Sequence, residues 1–173
     1  MEIVRHGVGV RRTAAASIVA LALVVFAPRA GEPDRAESIA IGTLRAIVSG
    51  ETAYAAASGG YFDTPACLTT PSCIPGTTRG SQAFLGPGVL NGLERRGYQI
   101  EFEPGAKAEQ APGTQQSPSA MIGFAVVAVP TTPGTSRHRA FCVDERGTIY
   151  VTSSGTRPAV AAGRCLETSS PLQ

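Results

Sequence analysis

Cysteine is the residue type that says most about chemistry in this 173-residue chain. Cys67, Cys73, Cys142 and Cys165 are its four thiols. No two of them are spaced as C-x-x-C, and His138 stands at no ligand spacing to any of them, which argues against a zinc site. An even number of cysteines reads instead as a disulfide framework. Four cysteines allow three pairings. Cys67–Cys73 and Cys142–Cys165 are favoured, because each closes its own loop rich in Gly, Pro, Ser and Thr. Closing the segment from 142 to 165 would stabilise the fold by about 3 kcal/mol on a chain-entropy argument.

The other reactive side chains do not converge on a reaction. His138 lies between Arg137 and Arg139, where a solvated strand start explains it better than a general base. Gly-x-Ser-x-Gly and comparable nucleophile turns are missing from the sequence, so Ser-His-Asp chemistry has no place to start. Cysteines expected to be oxidised do not serve Cys-His catalysis. Glu101 and Glu103 fall on one face of an expected strand as two carboxylates of a glycosidase would, and a solvated sheet face accounts for them equally. Asp63, Asp144 and Glu145 carry the charge for calcium without its loop spacing. Gly59-Gly60 and Gly86-Pro87-Gly88 lack the strand-then-helix setting of a phosphate loop. Glu51 falls near the apolar side of an expected helix, one turn before Tyr54, either as a boundary residue or as the partner of an arginine from the sheet. The expectation is a non-enzymatic protein with no catalytic residue, no metal and no cofactor.

The N-terminus places these groups. Arg5, Arg11 and Arg12 precede an apolar stretch from Ala14 to Ala27, and Pro28, Arg29, Ala30 and Gly31 follow it. A basic region, a short apolar core and small residues are the marks of a secretory signal, and the stretch is shorter than a comfortable bilayer span. Residues 1–30 are therefore read as a signal peptide or, if uncleaved, an N-terminal membrane anchor. Ala30 suits the last leader position and Pro28 suits it poorly, so both outcomes stand. Residues 31–173 then form a single domain outside the cytoplasm: periplasmic, at the cell surface or anchored to the inner membrane.

The charge balance changes once the leader is set apart. The whole chain holds 15 Lys+Arg and 13 Asp+Glu. Residues 1–30 contain four of those Arg and one Glu, which leaves 11 basic and 12 acidic groups and a net charge of −1. A domain without positive excess lacks the electrostatic footprint that draws nucleic acid.

The elements follow from periodicity. Ile39, Ala40, Leu44, Ile47, Val48, Tyr54 and Ala55 recur at three and four between Asp34 and Ser58, which predicts an amphipathic helix. Asp34 and Glu37 suit a capping box, and Gly59-Gly60 ends the run. Pro65, Pro71 and Pro75 hold residues 61–80 in a loop, and a short helix is expected near Gly88–Arg96. Tyr98, Ile100 and Phe102 alternate with Gln99, Glu101 and Glu103 as in a half-buried strand. Residues 104–119 read as a flexible loop, and Met121–Val129 as a central strand. Arg139–Val143 and Thr148–Thr152 flank a turn at Asp144-Glu145-Arg146-Gly147, a hairpin signal. The tail after Ser153 is turn-rich and expected to be tied back through Cys165. These elements sum to an α+β fold, with a long N-terminal amphipathic helix packed on a three- to four-stranded antiparallel sheet.

Several of these segments resemble one family. Ala36-Glu37-Ser38-Ile39-Ala40, Leu44-Arg45-Ala46-Ile47 and Glu51-Thr52-Ala53-Tyr54-Ala55, followed by Gly59-Gly60-Tyr61, resemble the exposed half of the long helix in type IV pilin-like and pseudopilin proteins. Leu90-Asn91-Gly92-Leu93, Gly97-Tyr98-Gln99-Ile100-Glu101-Phe102, Gly123–Pro130 and Arg139–Tyr150 follow in the order of the pilin-like sheet. The leader lacks the prepilin cleavage motif: Val8 follows Gly7, and Arg12 stands fifth after it. The resemblance implies a structural or interaction subunit in which Cys142–Cys165 is the C-terminal disulfide loop. Other pilin-like subunits or cell-envelope proteins would be its partners, together with the membrane where the leader stays attached. The alternative is a free periplasmic module binding a small ligand or a protein through the 104–119 loop and the face around Glu101 and Glu103.

Overall fold

The computed structural model describes residues 35–73, 81–89, 96–110, 116–132, 138–166 and 170–172. The expected leader at 1–30, the cap at Asp34 and most of the expected helix at Gly88–Arg96 lie outside the described residues.

The apolar spacing after residue 35 builds one helix, α1 (Arg35–Ala57), of 23 residues. Its buried positions, Ala40, Ile41, Leu44, Ile47, Glu51 and Tyr54, recur at helical intervals and form one stripe. A five-residue helix, α2 (Pro65–Thr69), follows; Thr64 caps it and Pro65 opens its first turn, where a missing N–H costs nothing. A 3-10 turn at Pro71–Cys73 comes next.

The remaining elements are strands. Strands β1 (Tyr98–Pro104), β2 (Phe124–Pro130), β3 (Ala140–Asp144), β4 (Ile149–Thr152) and β7 (Ser170–Pro171) lie in the order β1-β2-β3-β4-β7. Every pairing is antiparallel, with Phe102 opposite Val126, Val127 opposite Cys142 and Cys142 opposite Tyr150. Strands β5 (Val160–Ala161) and β6 (Arg164–Cys165) make a separate two-stranded ribbon. The hairpin between β3 and β4 turns at Gly147, whose φ of 76° lies where a side chain is strained.

Period-two alternation sends successive β2 residues to opposite faces, and both faces are covered. Phe124, Val126 and Ala128 join Phe141 and Val143 of β3 in a core with Ala40, Leu44, Ile47 and Tyr54 of α1. Ala125 and Val127 face the other way and pack with Cys142, Tyr150 and Cys165, flanked by Val160. Burying each large apolar side chain contributes about 1.5–3 kcal/mol, and Phe124, Phe141, Leu44 and Ile47 are all fully buried. On the second face the ribbon lies flush against backbone. A Cβ on Gly163 would stand 2.6 Å from the Cα of Gly105, so only glycine fits there.

These observations correct the expected fold. The long N-terminal helix on a three- to four-stranded pilin-like sheet is not shown. Sheet predominates, its five strands exceed the expected number, and the helix of that length is confined to Arg35–Ala57. The extra strand arises because Ser170–Pro171 returns beside β4, an arrangement fixed by tertiary pairing and not by any local pattern. The 104–119 segment is also partly structured. Pro104 belongs to β1, Gly105 donates its N–H to the Gly123 carbonyl at 2.9 Å, and Ala108 donates to Ala120 at 2.8 Å.

Candidate functional site

One gathering of buried ionisable groups lies beneath α1. The chain leaves α1 through Ser58, and Phe62 pairs with Met121 by two backbone hydrogen bonds of 2.9 Å. That pairing carries the next residue, Asp63, into the interior, where it is 0% exposed. Its carboxylate accepts from the Tyr54 hydroxyl at 2.8 Å, the Thr64 N–H at 2.7 Å and the Ser119 hydroxyl at 2.7 Å, and also from the Ser117 hydroxyl. Burial pushes this carboxyl up, but the bonds from Ser117, Ser119, Thr64 and Tyr54 outweigh it and hold Asp63 below the usual carboxylate range.

Glu51 sits one turn before Tyr54 and is equally buried. One carboxyl oxygen accepts the Asp63 N–H at 3.2 Å; the other, Oε1, has no hydrogen-bond partner among the described residues. Burial foremost, aided by the negative charge of Asp63, raises its pKa to about 8 against the lowering effect of the Asp63 N–H. Glu51 is therefore protonated at neutral pH, and the pair carries one negative charge. The sequence reading made Glu51 a boundary residue or an arginine partner; its side chain is instead fully inside, with a backbone N–H for company. Tyr54 is likewise held as the neutral phenol, first by burial and then by its bond to Asp63.

A second buried carboxylate lies on the other face of the sheet. Asp144 closes β3 and is 0% exposed. It accepts from the Arg146 guanidinium at 2.7 and 3.1 Å, from the Arg146 N–H at 3.1 Å and from the Cys165 N–H at 3.1 Å. Burial would raise its pKa; Arg146 and the two N–H groups together hold it low. Arg146 also reaches the Cys165 carbonyl at 3.3 Å and stacks over the Tyr150 ring at 5.6 Å. The Cys142–Cys165 disulfide crosses the same place, joining β3 to β6. Arg164 and Glu145 pair beside it at 2.8 Å.

Cys67 and Cys73 are separate thiols here, Cys67 buried and Cys73 half-buried. The Cys67 thiol has Cys73 as a hydrogen-bond neighbour and reaches the Tyr54 hydroxyl at 4.0 Å. Burial foremost, then Cys73 and the charge of Asp63, push the Cys67 thiol well up.

The remaining candidates occupy structural positions. Glu101 and Glu103 do share a face of β1, where Arg157 pairs with Glu101 at 2.6 Å and with Glu103. His138 is half-buried and meets the Tyr98 ring edge-on at 6.4 Å. Asp63 and Asp144, once considered together for calcium, belong to separate networks. Among the described residues no group of three or more His, Cys, Asp or Glu is arranged to hold a metal ion. Sequence reasoning missed Ser117 and Ser119, which lie 54 and 56 residues from Asp63. It also missed that Glu37, in the first turn of α1, receives the Arg139 N–H at 2.8 Å and its guanidinium at 2.7 Å. A buried glutamate in an apolar stripe was the one available signal for the Asp63 cluster.

Family models, characterised proteins and solved structures contain no match to this chain, and the likeness to type IV pilin-like proteins gains nothing from them. The Cys142–Cys165 disulfide fits an oxidising, extracytoplasmic setting. No helix among the described residues is long and apolar enough to cross a membrane.

Proposed function

We propose that this domain is a non-enzymatic interaction module of the cell envelope, exported by its first thirty residues and stabilised by Cys142–Cys165. The observation that carries this reading is how the buried acids are used. Asp63 is surrounded by four donors, Asp144 by Arg146 and two N–H groups, and Glu37 by Arg139. A general acid or base must be able to exchange its proton with a substrate in hydrogen-bond reach. These carboxylates are committed to neighbouring elements and act as braces that fix α1, the 116–120 segment and the C-terminal ribbon. With the pilin-like fold corrected, a filament is no part of the proposal; the partner is another envelope protein.

Two measurements in the native host test it. Envelope fractionation with intact-mass analysis, without reductant, expects an extracytoplasmic protein carrying the Cys142–Cys165 bridge. Crosslinking in cells expects adducts between this domain and another envelope protein. Recovery from the cytoplasm with that pair reduced would sink the localisation. A hydrolytic activity of the purified protein that disappears in His138→Ala would sink the non-enzymatic reading.

A further inference from the structure

We propose that Cys67 and Cys73 are a thiol–disulfide exchange site, closing to a second, reversible disulfide when a disulfide-bearing oxidant is present. The geometry brings the two sulfurs together by consecutive turns of one short segment. Cys67 lies in α2, the Thr70 N–H donates to the Cys67 carbonyl at 2.9 Å, and the Cys73 N–H donates to the Thr70 carbonyl at 3.0 Å. These two turns fold the chain back so that the two thiols interact, and Cys73 packs against the core cluster that holds Cys67. The two thiols differ in access: Cys67 is 2% exposed, whereas Cys73 is half-buried.

That asymmetry sets the order of events. Cys73, the accessible sulfur, attacks the oxidant's disulfide and forms a mixed disulfide, releasing one thiol of the oxidant. Cys67 then attacks Cys73 within the mixed disulfide and releases the second thiol. In balance, two protein S–H bonds and one oxidant S–S bond are lost, and one protein S–S bond and two oxidant S–H bonds are formed. The protein loses two electrons and two protons, and the oxidant takes both. Burial and the nearby Asp63 charge keep Cys67 a thiol, which suits it to the second role and not to the first. Closure also removes the Cys67 S–H donor from the Tyr54 hydroxyl, one bond away from Asp63.

The test uses the full chain equilibrated across a series of reduced-to-oxidised glutathione ratios, then trapped by alkylation and read by peptide mass spectrometry. Cys67 and Cys73 are expected to lose their alkylation together, with one shared midpoint, while Cys142–Cys165 stays closed throughout. In the Cys67→Ser variant a glutathione adduct should accumulate on Cys73. In Cys73→Ser the folded protein should alkylate at Cys67 at least about tenfold more slowly than Cys73 does in its counterpart. The wild-type titration decides the matter even if either variant fails to fold. Independent titration of the two cysteines overturns the proposal. So does a stable glutathione adduct on wild-type Cys73, or a Cys67–Cys73 bond that no ratio opens.

Discussion

Asp63 and Asp144 are both fully buried carboxylates with depressed pKa values, yet the molecule stabilises their charge in opposite ways. Around Asp144 the charge is neutralised by the guanidinium of Arg146, and the two side chains cancel at close range. Around Asp63 no cation takes part among the described residues. Two serine hydroxyls, a tyrosine hydroxyl and one N–H supply dipoles only, so a net negative charge remains in the core. The consequence appears next door. Glu51 is held neutral foremost by its depth, with that charge a smaller push in the same direction, and its pKa rises to about 8. A buried acid held by dipoles leaves its charge in the core; one held by a counter-ion is cancelled where it stands.

The comparison is broken most severely at Asp63. Asp63→Ala strips the acceptor from the buried hydroxyls of Tyr54 and Ser117 and from the exposed Ser119, and leaving each buried donor unsatisfied costs about 1–3 kcal/mol. A total loss of about 3–5 kcal/mol is expected in urea unfolding, a large share of the about 5–15 kcal/mol that keeps a domain folded. A loss below about 1 kcal/mol would show that water replaces the carboxylate. The cross-link on the other side comes next. Cys142→Ala with Cys165→Ala should cost about 3 kcal/mol by the same assay.

Glu51 provides a test in which pH alone is varied. Its folded pKa lies above its unfolded value, so the native state holds a proton the unfolded chain gives up. Stability from this group is complete below about pH 4.5 and is lost as pH rises through about 8. The wild type should lose about 1–3 kcal/mol between pH 5 and pH 8, and Glu51→Gln, neutral throughout, should remove most of that slope. An unchanged slope in the variant would place the titrating group elsewhere. Asp63 and Asp144 act in the opposite sense: their contribution is present above the ordinary carboxylate range and is lost on acidification through their depressed values. Acid unfolding should therefore begin later than in a domain whose carboxylates titrate normally.

The smallest effect belongs to the exposed pairs. Arg157→Ala frees Glu101 and Glu103 on a face where salt screens the interaction, and the change should stay within about 1 kcal/mol. Measured in 1 M salt, it should shrink further.

What the sequence made legible was local. The β3–β4 hairpin is signalled by Asp144-Glu145-Arg146-Gly147 because a turn with positive φ constrains residues adjacent in the chain. The alternation of Tyr98, Ile100 and Phe102 against Glu101 and Glu103 is likewise a property of one strand. The Asp63 cluster was hidden, because its bonds to Ser117 and Ser119 depend on the Phe62–Met121 pairing, which no periodicity announces. The fifth strand was hidden for a related reason: Ser170–Pro171 has neither length nor apolar alternation, and it becomes a strand only because β4 offers an edge. Glu51 stood in plain view at an apolar position, but its neutrality comes first from full burial, which α1 alone does not show.

The position of Cys165 has a mechanical consequence. Five residues beyond it the chain enters β7, whose two residues pair with the outer side of β4. A pull on the C-terminus would unzip that short pairing first, bond by bond. It would then meet the covalent link at Cys165 and pass straight into β3, flanked on both sides by paired strands. The chain from β4 through β5 lies within the closed loop and is bypassed. Tension would thus be delivered to the middle of the sheet and not to its edge.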